Sequence, residues 1–182
     1  MEKQNIIGID YSMSSPSICI NSNDVFFITR NQVFEGDYTH GDFKFKGIWY
    51  GPIKSGHNKM QRFGHLTSIV LRELCDMKPG VAFLEGYSLG SKGNLTAIAE
   101  NTGVLKVALA MKGWELRIVS PMTLKKEFGG KGNMKKPALA DAWHDKFGFH
   151  VHDLVGCDKG DSPASDIIDS YAVMNCTTYE TI

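Results

Sequence analysis

Four acidic residues stand out by position: Asp10, Glu85, Asp166 and Asp169. The last two lie in Ser162-Pro163-Ala164-Ser165-Asp166-Ile167-Ile168-Asp169-Ser170-Tyr171-Ala172-Val173, whose composition is that of a buried helix. Residues at i and i+3 are neighbours on a helix surface, so both carboxylates point roughly the same way. Two like charges set together against apolar surface repel each other and resist burial. A divalent cation removes both penalties. Asp10 follows the apolar run Ile6-Ile7-Gly8-Ile9, and Glu85 closes Val81-Ala82-Phe83-Leu84. Each therefore ends a strand pattern, and α/β proteins place their sites at the carboxyl ends of sheet strands. Oxygen ligands suit magnesium or manganese. Two such ions about 3.5–4 Å apart can activate a water and stabilise the leaving oxygen of a phosphodiester. Taken singly, each carboxylate has an ordinary reading: Asp10 as a turn residue, Glu85 as the partner of a lysine, Asp166 as first-turn acid at a helix dipole. Asp169 fits such a reading worst, being a second turn in.

The elements that must position these groups follow from periodicity. Strands are expected at residues 4–10, 16–21 and 25–29, with a turn at Asn23-Asp24, and the alternation of Asp42-Phe43-Lys44-Phe45-Lys46 suggests another. Met60, Phe63, Leu66, Ile69, Val70 and Leu74 recur at helical spacing, which predicts a helix over 57–76, stopped by Lys78-Pro79-Gly80. A buried strand at 81–85 and a helix at 94–111 follow, then a strand at 114–119. Helices at 121–128 and 135–147 flank Gly129-Gly130-Lys131-Gly132. The last helix is expected over 162–178, with Ser162 as N-cap and Pro163 at its first position. This order is that of an α/β protein with a mixed sheet. No repeat or linker divides residues 1–182, so one domain is expected.

Lys125, Lys126, Lys131, Lys135 and Lys136 form the one dense basic cluster, interleaved with glycines that permit close backbone approach. Such a loop suits phosphate contacts that position DNA without reading it, although a solvated loop has the same composition. The P-loop spacing is absent. Lys92 and Tyr87 follow Glu85 closely. Lys92 suits a DNA contact or a solvated helix start, and Tyr87 a stack on an exposed base or a core cap. His150 and His152 would share a face on a strand, but no ligand set completes a tetrahedral site. A serine hydrolase lacks its G-x-S-x-G.

The formal net charge is zero, so any nucleic-acid contact must come from a local patch and not from a global basic field. The four cysteines form no C-x-x-C pair, which reads as free thiols in a reducing compartment. The N-terminal apolar run is too short for a signal peptide, and no segment is long enough to span a membrane. A cytoplasmic protein is expected.

In these motifs the sequence resembles the RuvC-type Holliday-junction resolvases, within the ribonuclease-H-like nucleases, over roughly residues 4–20 and 81–176. Ile6-Ile7-Gly8-Ile9-Asp10 is similar to the family's first motif and Phe83-Leu84-Glu85 to its second. Asp166-Ile167-Ile168-Asp169-Ser170-Tyr171-Ala172 resembles its closing D-x-x-D-x-x-A helix. Ser120-Pro121, Lys125-Lys126, Gly130-Lys131-Gly132 and Lys135-Lys136 resemble its proline, lysine and G-x-G segment. The resemblance implies a ribonuclease-H-like fold with a central mixed five-stranded sheet flanked by helices. It implies a homodimer, and two Mg2+ or Mn2+ ions held by Asp10, Glu85, Asp166 and Asp169. The implied activity is hydrolysis of four-way DNA junctions to 5′-phosphate and 3′-hydroxyl ends, in a bacterial cell or a phage-infected host. Two departures fit a phage or viral relative. Bacterial members place an aromatic three residues after the second-motif glutamate, where this chain has Ser88, with Tyr87 one position earlier. Residues 31–56 read as an insertion. Nucleases of the same fold acting on RNA–DNA hybrids, flaps or forks would use the same carboxylates. A catalytically silent DNA-binding protein is the alternative from another class.

Overall fold

The computed structural model describes residues 4–13, 15–51, 58–87 and 95–182. Eight strands form one sheet: Ile6–Asp10 (β1), Ser17–Ile20 (β2), Asp24–Thr29 (β3), Gly36–His40 (β4), Phe43–Trp49 (β5), Val81–Glu85 (β6), Glu115–Val119 (β7) and Glu180–Thr181 (β8). Their spatial order is β4-β5-β3-β2-β1-β6-β7-β8. The six inner strands are those read from the sequence, and the sheet is wider than the five strands expected: β5 extends it on one side, and β4 and β8 form its edges. β1, β2 and β3 pair antiparallel, while β6 runs parallel to both β1 and β7. The described part of the expected insertion at 31–56 contributes two strands to the sheet. β5 pairs parallel with β3, and β4 folds back along β5 to form the outer edge. Gly36-Asp37-Tyr38-Thr39-His40 is polar and mostly exposed, so β4 lacks the apolar alternation that announces a half-buried strand.

Strand alternation divides β1 between two cores. Ile7 and Ile9 pack with Leu66, Ile69 and Val70 of helix Lys59–Glu73 (α1) and with Leu105 and Leu109 of helix Leu95–Met111 (α2). Asn58 caps α1 through a reciprocal capping box with Gln61. On the opposite face lie helices Pro121–Gly129 (α3), Lys136–Phe147 (α4), Val151–Val155 (α5) and Ala164–Met174 (α6). α6 crosses β1, β2 and β6 at the centre, and every one of its residues is buried. Close approach is possible because β1 presents Gly8 to it. A Cβ there would lie 2.2 Å from the Ser170 carbonyl oxygen.

Two expectations about this end of the chain are corrected. Ser162 is not the N-cap of α6; Pro163 takes that place with no side-chain cap bond. The Ser162 hydroxyl instead donates to Asp166 at 2.5 Å. The helix also stops at Met174, not at 178, and the chain turns into β8. His150 and His152 belong to no strand: His150 precedes α5 and His152 lies within it, their rings 4.7 Å apart.

Trp143 anchors the α4 side of the core. It is fully buried and touches the rings of Phe43, Phe128, Phe147, Phe149 and Tyr171. Trp143→Ala is expected to cost about 3–5 kcal/mol in urea denaturation. Met111→Ala, at a side chain 83% exposed, should stay within about 0.5 kcal/mol of wild type.

Candidate metal centre

The alternation that turns Ile7 and Ile9 to one core turns Asp10 to the other face, towards α6. Glu85, in phase with Val81 and Phe83, faces the same way. β1 and β6 are adjacent and parallel, so their carboxyl ends deliver both carboxylates to one spot. Asp169 reaches that spot from the middle of α6. One oxygen from each of Asp10, Glu85 and Asp169 lies within 4.8 Å of the others. Among the described residues none of these three carboxylates has a hydrogen bond or ion pair of its own.

Electrostatics makes this arrangement costly when bare. Burial, then Asp166, Glu85 and Asp169, pushes the Asp10 carboxyl well above its usual range, with Lys136 opposing. Burial and the Asp169 charge push Glu85 up to about 7, against the pull of Lys125 and Lys136. Burial raises Asp169 to about 6, with Lys136 opposing. Three oxygen donors, Asp169 buried and Asp10 and Glu85 partly so, mutually repelling and without side-chain hydrogen-bond partners among the described residues, fit a hard divalent cation.

Asp166 sits in the same neighbourhood but in a different state. The hydroxyls of Ser15 and Ser162 each donate to its Oδ2 at 2.5 Å. Lys136 Nζ and the Ser165 hydroxyl each reach its Oδ1 at 3.3 Å. Four donors match the roughly four lone-pair positions of a carboxylate. The structure thus brings three of the four expected carboxylates together and leaves the fourth, alongside them, bound to the protein.

The basic cluster also divides. The Lys136 side chain is half-exposed, its ammonium turned into the site, and the fields of Asp166, Asp169 and Asp10 raise its pKa despite the opposing effect of burial. Lys125 acts on Glu85 and Asp169. Lys126, Lys131 and Lys135 are exposed along the α3–α4 connection. Tyr87 is 37% exposed just past β6, with the Lys106 ammonium 5.0 Å from its ring centre. Lys92 and Ser88 lie outside the described residues. Sequence reasoning missed Ser15, Ser162 and Lys106. Ser15 is 151 residues from the carboxylate it serves, and no local pattern marks such a pairing.

A parallel β1-β6-β7 core, an antiparallel β1-β2-β3 meander and a buried acidic helix across them make up a ribonuclease-H-like fold. Within that class, the chain is similar to two solved structures of RuvC from Thermus thermophilus. One shares 18% identity, with 93% of this chain and 90% of that one covered, at a TM-score of 0.56. The other is that protein in complex with a Holliday junction substrate. It shares 17% identity over 94% of this chain and 91% of that one, at a TM-score of 0.58. No family model and no curated protein matches the sequence. No helix among the described residues is long and apolar enough to cross a membrane.

Proposed function

We propose that the chain is a divalent-metal-dependent, structure-selective endodeoxyribonuclease. It resolves four-way (Holliday) or other branched DNA junctions by hydrolysing phosphodiester bonds to 5′-phosphate and 3′-hydroxyl ends. The observation that carries this reading is the convergence of Asp10, Glu85 and Asp169 on a fold similar to that of RuvC. Those three residues hold Mg2+ or Mn2+, and Asp166 completes the ligand set for a second ion. Its Oδ1, at 3.3 Å from both donors, is the more loosely held of its two oxygens. Bound there, the ions supply an activated water and charge stabilisation at the leaving oxygen.

The chain's own groups supply the rest. Glu85 and Asp169 must shed their protons before they can ligate, so metal affinity rises with pH through the range of about 6 to 7, and Asp10, held well above its usual range by burial and its acidic neighbours, adds to that dependence. Lys136 offsets part of the negative charge while the carboxylates are bare, and its ammonium is within reach of a phosphate brought to them. Lys125, Lys126, Lys131 and Lys135 hold the backbone on either side, and Lys92 and Tyr87 meet DNA beyond β6. A homodimer belongs to this reading, because paired symmetric nicks need two sites. The cytoplasm is the expected place of action.

The deciding experiment uses a labelled four-way junction beside duplex, flap and RNA–DNA hybrid, with magnesium, manganese or chelator. Paired symmetric nicks on the junction, lost with chelator, are expected. Metal-dependent cutting chiefly of flap or hybrid would keep the site and replace the substrate. Binding with no cutting of any substrate would leave a silent DNA-binding protein.

The exposed lysines have their own signature. Each phosphate neutralised contributes about 0.9 to the slope of log K against log salt. Lys131→Ala and Lys135→Ala should each flatten that slope by roughly one unit, about equally on junctions of different sequence. An unchanged slope would remove the lysine from the interface.

A further inference from the structure

At the carboxyl ends of β6 and β7, the edge of the sheet that also carries Glu85, lies a pocket of about 240 Å3. Gly86, Tyr87, Ser120, Thr123 and Tyr179 line it. Glu85 and Val119 are register partners across β6 and β7. Gly86 and Ser120 are each one residue further on, so the pocket opens at the same carboxyl-end edge of the sheet from which Glu85 projects. Its two aromatic rings are unusually exposed for their size, Tyr87 at 37% and Tyr179 at 41%.

Tyr179 is held in place from several sides. Before it, Glu127 of α3 accepts hydrogen bonds from the backbone N–H of Thr177 at 2.7 Å and of Thr178 at 3.2 Å. After it, Glu180 and Thr181 pair with β7. Its ring meets Phe83 edge-on at 5.4 Å, and the Arg117 guanidinium lies 4.4 Å from its centre. The segment is thus anchored on both sides of a half-exposed aromatic. Tyr87 carries a cation too, Lys106. A rigid aromatic backed by a cation is the chemistry that binds an unpaired nucleobase, through stacking and cation–π attraction. The volume is below the roughly 300–1,000 Å3 of sites for drug-sized ligands, which suits one base. Glu180, also in the lining, opposes entry of a phosphate.

We propose that this pocket receives a single unstacked nucleobase from the DNA strand lying across the carboxylates, with Tyr179 as its stacking platform. The proposal rests on the nuclease reading above and gives that site a second point of contact on the same edge of the sheet. Stacking tolerates any base, so the pocket selects for an unpaired nucleotide and not for a sequence.

The test places 2-aminopurine at each position flanking the crossover of a four-way junction, and reads its fluorescence on adding protein with calcium in place of magnesium. Quenching at one flanking position is expected, kept in Tyr179→Phe and lost in Tyr179→Ala, with junction binding weaker by on the order of tenfold in the latter. Thr123→Phe fills the pocket from α3 and leaves the tail's own residues unchanged, and should abolish the same signal if Tyr179→Ala proves unstable. A junction cut normally by wild type, with equal quenching in wild type, Tyr179→Ala and Thr123→Phe, overturns the pocket and leaves the nuclease reading intact. If wild type neither binds nor cuts branched DNA, both fall.

Discussion

Asp169→Asn is expected to lower metal-dependent cleavage by at least about 10³-fold, roughly 4 kcal/mol of lost transition-state stabilisation, while raising the melting temperature of the metal-free protein. The two effects share a cause. The carboxamide keeps the shape of the side chain and removes one of three charges crowded within 4.8 Å. On the proposed reading, that charge is a ligand when metal is bound. Without metal it is a liability, as the upward shifts of Glu85 to about 7 and Asp169 to about 6 record. The unfolded values lie near 4.3 and 3.9. Between roughly pH 4 and 7 the folded protein therefore holds more protons than the unfolded chain, and its stability falls as pH rises through that window. Metal-free wild type should melt lower at pH 8 than at pH 5. Asp169→Asn should show a shallower decline and melt higher at pH 8, by ~2–4 °C for each kcal/mol recovered. Magnesium should reverse the order by stabilising wild type alone. Calorimetry with and without chelator at both pH values checks this, and cleavage within tenfold of wild type would remove Asp169 from the ligand set.

Gly8→Ala is the second large effect, on stability. The added methyl would lie 2.2 Å from the Ser170 carbonyl oxygen, 2.4 Å from Met174 Cβ and 2.6 Å from the Met174 nitrogen. Backbone atoms cannot swing aside as a side-chain tip can, so α6 must lift from β1. A cost of about 3 kcal/mol or more is expected, at the upper end for overpacking. Because α6 carries Asp169 and β1 carries Asp10, activity should fall even below the melting transition. Gly64→Ala is the control. Gly64 lies in α1 with nothing within 4 Å of an added Cβ, and the change should stabilise by about 0.5–1 kcal/mol. Equal behaviour of the two variants in urea would mean that the β1–α6 contact yields.

The parts of the molecule legible in sequence are those with a period. β6 begins and ends where its apolar run does, at Val81 and Glu85, and α2 ends at Met111 as the pattern requires. Asp10 and Glu85 could be placed at strand ends because each breaks such a run. β4 and β8 were not legible, being short or polar edge strands fixed by their neighbours and not by their own pattern. The pair on α6 was legible only in part. Residues three apart differ by about 60° around a helix of 3.6 residues per turn. That offset is enough to send Asp169 to the other carboxylates and Asp166 to Ser15, Ser162 and Lys136. Which of two neighbouring acids meets which partner depends on hydroxyls far away in the chain, and these carry no local signal.

Asp10, Glu85 and Asp169 come from an early strand, a middle strand and a late helix, and this spacing makes the site a check on completeness. A chain on which α6 has not yet docked holds two of the three carboxylates and nothing to bring a cation between them. On the proposed nuclease reading such a chain would be inert towards DNA however well its sheet had formed. Once α6 docks, a bound ion would clasp three distant parts of the chain and stabilise only the finished fold, by mass action. Competence to cut and completion of folding would then be the same event.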